Sequence, residues 1–317
     1  MISNDIDLAI ELLNKNKIIG FPTETVYGLA GNAFSEVAIK KIYEVKKRPL
    51  FNPLIVHIKS FEVLKTVAVD IPQKAIILAN AFWPGPLTLI LKKQATISDL
   101  ITANLDTVAV RIPNHPIALK LLNKLDFPLV APSANPFTRI SPTKASHVAK
   151  YFKNEIEMVL DGGISAAGVE STIVGFNENG VIVYRLGALS LEAIEKVVGA
   201  VTVINKSKKS PQAPGMFLKH YSPKTEFIFT RYLQGEIDRF QDKKVGLLLF
   251  DTLQPNFNIK NQFVLSKHSD LNQAAANLYQ ALHELDALNL DVIIAEHFPE
   301  IGLGITINDR LERASKK

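Results

Sequence analysis

The residues able to do chemistry fall in short runs between Thr23 and Tyr221. The run Phe21-Pro22-Thr23-Glu24-Thr25-Val26-Tyr27-Gly28 crowds hydroxyls and a carboxylate at the exit of a strand. Ligand sites in open α/β sheets form at such exits, although a capped helix start with its capping glutamate would use the same residue types. Lys46-Lys47-Arg48 is followed by Pro49, Asn52 and Pro53. Cations at a helix C-terminus are stabilised by the macrodipole, which alone accounts for their placement. The two prolines, however, stiffen the following loop, and a stiff loop suits the presentation of Arg48 and Asn52 to phosphate. Arginine grips phosphate oxygens bidentately and lysine acts as a point charge. In Ala131-Pro132-Ser133-Ala134-Asn135-Pro136 the small side chains let a ligand approach the backbone, and Ser133 and Asn135 can hydrogen-bond phosphate or ribose. Ser141-Pro142-Thr143 is read as a helix start, a place that binds anions or simply carries an N-cap.

Four further features are weaker. His57 sits inside the apolar run Leu54 to Ile58, where a satisfied core histidine and a cleft-facing one look alike. Thr107 and Arg111, four apart on a strand, project to one face, and an arginine there requires an anion or an acid. Trp83-Pro84-Gly85-Pro86-Leu87-Thr88 is a rigid turn into a strand. Asp161-Gly162-Gly163 and Val169-Glu170-Ser171-Thr172 bracket a flexible loop, and Arg185 ends a strand before Gly187. No Gly-x-x-x-x-Gly-Lys-[Ser/Thr] loop, Gly-x-Ser-x-Gly elbow or His-Glu-x-x-His motif occurs, which excludes those three classes. Residue types alone therefore lead to an anion site of unspecified class.

The elements that must hold these residues alternate between strand-like and helix-like periodicity, the pattern of an α/β layered fold. Ser3 and Ser35 are the predicted caps of two helices. Strands are expected at 17–21, 54–58, 88–91, 108–112 and 129–131, with helices at 73–82, 116–125 and 143–152. Asn177-Glu178-Asn179-Gly180 between two apolar runs predicts a hairpin, so the sheet is expected to be mixed. From Gly199 to Thr225 the chain holds five lysines, three prolines and no acid, which reads as an extended linker over 201–225 with an unusual tip, Lys219-His220-Tyr221. Residues 226–317 restart the pattern with strands at 227–229, 245–250 and 292–295 and helices at 271–288 and 308–314. That is a smaller α/β domain, in which no chemistry is evident.

The chain has 317 residues, a net charge of +5 and no cysteine. Disulfides, thiolate metal sites and thiol nucleophiles are excluded. The basic excess suits an anionic ligand such as a nucleotide or RNA. The N-terminus lacks a signal-peptide layout and the apolar runs are too short to span a bilayer, so the expectation is a cytoplasmic protein with no membrane partner.

Taken in order, Thr23-Glu24-Thr25-Val26-Tyr27-Gly28, Lys46-x-Arg48 and Ser133-x-Asn135 resemble the signature of the YrdC-fold family. Trp83 to Thr88 and Glu170-Ser171-Thr172 match it further along. Ala213-Pro214-Gly215-Met216, His220-Tyr221-Ser222-Pro223, Gly302-Leu303-Gly304 and Asp309-Arg310-Leu311 are similar to its long, two-domain form.

The resemblance implies a YrdC-like catalytic domain over 1–200 with a twisted mixed sheet and a basic open groove, then the linker, then a Rossmann-like domain. It implies synthesis of threonylcarbamoyl-AMP from L-threonine, bicarbonate and ATP with release of pyrophosphate, ATP being a substrate that carries Mg2+ on its phosphates. The product would pass to a complex that transfers the threonylcarbamoyl group to tRNA. Carried over residue by residue, it places threonine near Thr25, His57, Arg111 and Ser171. It places ATP near Lys46, Arg48, Asn52, Thr107, Ser133, Asn135, Ser141, Arg185 and Tyr221, with Lys46 and Arg48 as the catalytic cations. Tyr221 would make the linker a lid. Pro136 to Arg139, Leu186 and Phe217 to Lys219 depart from the family pattern. A competing reading is an RNA-binding module without ATP turnover, gripping RNA weakly through its basic face. Carbamoyl-adenylate makers of hydrogenase maturation carry cysteine zinc fingers, which this chain lacks.

Overall fold

The computed structural model describes residues 1–204, 213–216, 219–255 and 257–316. Three of the five linker lysines (Lys206, Lys208 and Lys209) and two of the departing residues, Phe217 and Leu218, lie outside them.

The larger domain is built on a twelve-stranded sheet among the described residues. In chain order its strands are β1 (Ile2–Ser3), β2 (Ile19–Phe21), β3 (Gly28–Asn32), β4 (Ile55–His57), β5 (Ala68–Val69), β6 (Leu87–Lys93), β7 (Thr107–Arg111), β8 (Leu129–Val130), β9 (Val159–Leu160), β10 (Thr172–Asn177), β11 (Gly180–Arg185) and β12 (Val201–Val203). The spatial order is β1-β9-β2-β3-β8-β4-β7-β6-β10-β11-β12, with β5 paired to β6. Pairing is mixed, as the hairpin signal predicts: β4 and β7 run parallel, β6 and β7 antiparallel, and β10 and β11 form the hairpin at Asn177/Gly180. The helices are α1 (Ile6–Asn14), α2 (Glu36–Lys46), α3 (Gln73–Phe82), α4 (Asp99–Thr102), α5 (Pro116–Lys124), α6 (Ala145–Tyr151) and α7 (Leu191–Val198).

Side-chain alternation decides what covers each face of the sheet centre. Val56, Leu89, Val108, Val110 and Val174 point to one core with Ala38 and Ile42 of α2, Leu78 of α3 and Ile194 of α7. Their neighbours Ile55, Ile90, Ala109 and Ile173 point the other way, and there they cluster with Ala213 and Met216 of the linker. Linker residues thus cover this face of the sheet centre.

The second domain contains β13 (Glu226–Thr230), α8 (Leu233–Arg239), β14 (Val245–Leu249), β15 (Gln262–Val264), α9 (Leu271–Leu285), β16 (Val292–Glu296) and α10 (Leu303–Ala314). Its all-parallel sheet has the order β13-β16-β14-β15. Buried α9 and α10 residues share a core with Val26, Ile140, Val169 and Tyr221, so that domain is packed onto the first and onto the linker.

Several local expectations are corrected. Asp5, not Ser3, caps α1, its carboxylate accepting from the Asp7 and Leu8 amides; Ser3 is paired in β1. Helix α6 starts at Ala145, two residues later than predicted, after Lys144 and with no side-chain cap, so Ser141 is not a cap. The linker does not begin at 201, because Val201–Val203 adds β12 in parallel to β11. Helix α10 begins five residues before the predicted start, at Leu303.

Candidate functional site

The site lies between β2/β3, β4, β7, the 131–135 loop and the linker. One cavity of about 50 Å³ is lined by, among others, Thr25, Arg48, His57, Arg111, Ser133, Ser171, Arg185 and Tyr221. Eight of the residues singled out from sequence, drawn from both the threonine and the ATP sets, therefore line one cavity.

Two guanidiniums line it. Arg48, just past the C-cap of α2, donates through Nε to Asn52 O (3.0 Å) and through Nη2 to Pro53 O (2.7 Å). Arg185, at the end of β11, donates to Ser171 O from Nε (3.1 Å) and Nη2 (2.8 Å), and to Ser171 Oγ (3.0 Å). Among the described residues both guanidiniums donate to carbonyls and a hydroxyl rather than to carboxylates, and the nearby Glu170 carboxylate acts on Arg185 without a hydrogen bond to it. Burial brings the Arg48 guanidinium down to about 10, with the nearby Arg185 acting in the same direction.

Arg111 shapes the adjoining pocket. The turn at Trp83–Pro84, whose peptide is cis, brings Gly85 O to Arg111 Nε at 3.1 Å. Arg111 Nη1 donates to Thr25 Oγ1 (2.8 Å) and Nη2 pairs with Glu24 Oε1 (2.6 Å). His57 is opposite Arg111 in the β4/β7 register. Burial first, and Arg111 second, drive its imidazole down to about 3, so it is neutral at physiological pH. Ser171 Oγ is shared with Thr88 Oγ1 at 2.7 Å.

Lys46, buried at the end of α2, turns its ammonium to the carbonyls of Ser133 and Asn135. It fixes the 133–135 loop from behind. Burial, aided by Arg48, lowers its pKa well below the usual lysine range. Asn135 Nδ2 closes the next turn on Pro136 O and Arg139 O. That departing stretch has a use here: Thr138 O accepts from the Ser222 amide (2.9 Å) and Arg139 donates to Pro223 O (3.0 Å), docking the linker.

The linker closes the cavity. Pro214, Gly215, His220 and Tyr221 all line it, and Tyr221 is 1% exposed. Gly215 has φ +84°, and a Cβ there would approach Arg185 Cδ to 3.1 Å, so the close crossing over Arg185 favours glycine.

Two sequence-predicted residues stand elsewhere. Thr107 lines a separate surface hollow with Phe176 and Tyr184. It shares a face with Arg111, but Ala109 lies between them under the linker residues. The Ser141 hydroxyl donates to Glu170 Oε1 at 2.6 Å instead of facing the cavity. Asn52 is fully buried behind Arg48, holding that arginine through its backbone carbonyl.

Sequence reasoning passed over Glu170 and His220 as site residues and found no chemistry in the second domain. Glu170 lines the cavity, and its Oε2 accepts from Tyr279 (3.0 Å) and from Arg310 Nε (2.9 Å), both of the second domain. Burial pushes its carboxyl up, but Arg310, Arg185 and the Ser141 hydrogen bond overcome this and hold it at about 2. The available signal was that Glu170 and Arg310 each lie in a quoted motif. Their partnership spans 140 positions and no local pattern encodes it.

Buried polar atoms around the cavity lack partners among the described residues: both amide atoms of Asn52, His57 Nδ1, Asn135 Oδ1 and His220 Nδ1. Each such orphan costs about 1–3 kcal/mol, and clusters of them are characteristic of ligand sites rather than cores.

A histidine pair marks the domain contact. His147 of α6 and His283 of α9 stack at 3.8 Å, and burial lowers them to about 3 and about 4. Their folded values lie below the unfolded value of about 6.5, so their contribution is complete above that pH. It falls by up to about 1.4 kcal/mol per histidine per pH unit as pH drops toward the folded value. The melting temperature is expected to fall between pH 6.5 and 4, and less steeply in His147→Gln. Equal pH slopes in the two proteins would contradict the assignment.

The chain matches the family described as "Telomere recombination" over residues 11–187 and that described as "Threonylcarbamoyl-AMP synthase, C-terminal domain" over residues 189–316. It is 43% identical to the threonylcarbamoyl-AMP synthase of Pyrococcus abyssi, covering 98% of this chain and 94% of that one. It is 39% identical to the Bacillus subtilis threonylcarbamoyl-AMP synthase over 97% of this chain and 92% of the relative. The crystal structure of P. abyssi Sua5 complexed with L-threonine superposes with a TM-score of 0.92 at 42% identity, over 98% of this chain and 94% of that one. With both domains matched and the likeness running nearly end to end, the chain belongs to the threonylcarbamoyl-AMP synthase family.

Proposed function

We propose that the protein condenses L-threonine, bicarbonate and ATP to threonylcarbamoyl-AMP and pyrophosphate, and that the product feeds threonylcarbamoyl transfer to tRNA. The observation that carries this reading is a single cavity with two carbonyl-held guanidiniums, Arg48 and Arg185, beside the Thr25–Arg111–His57 cluster. The first pair suits phosphates and the cluster suits an amino acid.

In the reaction, the threonine amine attacks bicarbonate carbon and water leaves, giving the N-carboxylate. An oxygen of that carbamate then attacks the α-phosphorus, and the bond to the bridging oxygen breaks to release pyrophosphate. Neither step needs a protein nucleophile, only positioning and charge neutralisation. Arg111 has N–H donors left on Nη1 and Nη2 beyond those given to Thr25 and Glu24, enough to hold a threonine carboxylate. Neutral His57, with Nδ1 free among the described residues, is a hydrogen-bonding group for the amine or hydroxyl, as is Ser171. Arg48 and Arg185 neutralise the departing charge, with Lys46 holding the Ser133–Asn135 loop against the nucleotide. Mg2+ would enter on the ATP phosphates, whose charge it helps to neutralise.

The cavity of about 50 Å³ holds one or two waters' volume, against several hundred Å³ for a drug-sized ligand. ATP therefore requires Pro214, Gly215, His220 and Tyr221 to swing away, and their return excludes water from a carbamate that decomposes readily. Measuring pyrophosphate with ATP, bicarbonate and each amino acid in turn tests the reading. Release is expected with threonine alone among them and only with bicarbonate; release without either co-substrate would overturn it. An RNA-binding role would instead show salt-sensitive RNA affinity and no turnover.

A further inference from the structure

Arg310 of α10 lies outside the cavity yet touches three parts of its wall. Its Nε donates to Glu170 Oε2 at 2.9 Å, its Nη2 donates to Leu186 O, and its guanidinium carbon sits 4.8 Å over the Tyr221 ring. Glu170 immediately precedes Ser171, and Leu186 immediately follows Arg185, so two of these contacts pin the backbone beside two cavity-lining residues. The third holds the lid aromatic, which also stacks on Tyr279 at 5.7 Å.

Arg310 is itself 1% exposed and fixed from behind. Asp309 Oδ2 accepts from its Nη1 at 2.6 Å and from Arg313 Nε at 2.9 Å. Arg313 in turn donates to Gly215 O at 3.0 Å, its carbonyl accepts from the His220 amide at 3.3 Å, and Ala314 O accepts from Ser222 Oγ at 3.2 Å. One turn of α10 thus grips the linker on both sides of Tyr221. The close packing of Gly187 against the Glu170–Thr172 backbone, where a Cβ would come within 2.4 Å, transmits any shift at Leu186 directly to Ser171.

We infer that Arg310 is a positioning residue for the reaction, through which the second domain sets the lid Tyr221 and the Ser171–Arg185 wall in their working places. The inference rests on the proposed function for its kinetic consequence, but its structural part stands apart from it. A lysine keeps the charge and can reach Glu170, but it lacks the planar fork needed to meet Glu170, Leu186 and Asp309 together. The cation over Tyr221 is also weakened.

The test compares the wild-type chain with Arg310→Lys and with the charge-balanced pair Glu170→Gln/Arg310→Met, which leaves no buried carboxylate without a partner. Three readouts are taken: melting temperature, kcat and KM for ATP in pyrophosphate release, and hydrogen exchange across 219–223. In Arg310→Lys the fold is expected to persist, kcat/KM for ATP to drop about a hundredfold, and the His220 and Ser222 amides to exchange at least tenfold faster. Threonine affinity, measured calorimetrically, should fall less than kcat/KM for ATP, because Thr25 and Arg111 are held within the first domain and only Ser171 of the threonine pocket adjoins the Arg310 contacts. If Arg310→Lys fails to fold, the charge-balanced pair is expected to show the same kinetic and exchange pattern. Folded variants with kcat/KM and exchange within twofold of wild type would overturn the inference. A wild-type protein that releases no pyrophosphate, but whose variants still free the lid amides, would sink the proposed reaction while leaving the latch standing.

Discussion

Arg48→Ala is expected to cut threonine- and bicarbonate-dependent pyrophosphate release by about a thousandfold or more, the range found when a charge-stabilising group is removed from an acyl- or phosphoryl-transfer site. Alanine removes a cation facing the cavity and frees the Asn52 and Pro53 carbonyls that it holds. The second loss is structural, so Arg48→Lys is the informative companion. A lysine restores charge without the fork, and should recover part of kcat while leaving KM for ATP raised. Lys46→Ala is expected to be nearly as damaging by a different route, since its ammonium fixes the Ser133 and Asn135 carbonyls. Full activity in both alanine variants would remove the phosphate grip from the account.

Removing the chain from Ala213 onward should abolish measurable turnover. The deletion takes away Tyr221 and uncovers Ile55, Ile90, Ala109 and Ile173, which now pack with Ala213 and Met216. It also strips Tyr279 and Arg310 from Glu170. Because a truncated chain risks aggregation through that uncovered sheet face, Tyr221→Ala in the full-length protein provides the matching result. It is expected to lose at least about a hundredfold in kcat/KM for ATP, the order of effect expected when a positioning group is lost. A truncated protein or a Tyr221→Ala variant as active as the parent would make the linker a tether.

The first domain was legible in the chain to the extent that its patterns are local. The 3.6 period over Gln73–Phe82 and the turn residues at Asn177 to Gly180 each specify an element that forms as read. Short strands built from small or few residues, such as Gly28–Asn32 and Val159–Leu160, carry too little alternation to be seen. The site followed the same division. Arg48, Ser133 and Arg185 announce themselves by charge or by turn chemistry and converge on one cavity. The family resemblance implies Thr107 at the ATP site, and strand geometry does put it on one face with Arg111, but linker residues cover the stretch between them. Ser141 was read as an anion-binding helix start, but its hydroxyl serves Glu170. Least legible was the second domain's part. Asp309 is the one sequence neighbour that pairs with Arg310 among the described residues, and the partners of Arg310 at 170, 186 and 221 meet it only through the tertiary fold.

Two carbonyl-held guanidiniums, the Thr25–Arg111–His57 cluster and the linker residues that cover them suit the proposed joining of a small amino acid to a nucleotide away from water. The most direct test is to incubate the protein with 13C-bicarbonate, L-threonine and ATP and to weigh the nucleotide product. The account predicts an AMP adduct carrying threonine and one 13C atom, formed one for one with pyrophosphate. An unlabelled threonyl adenylate, or ADP and phosphate in place of pyrophosphate, would contradict it.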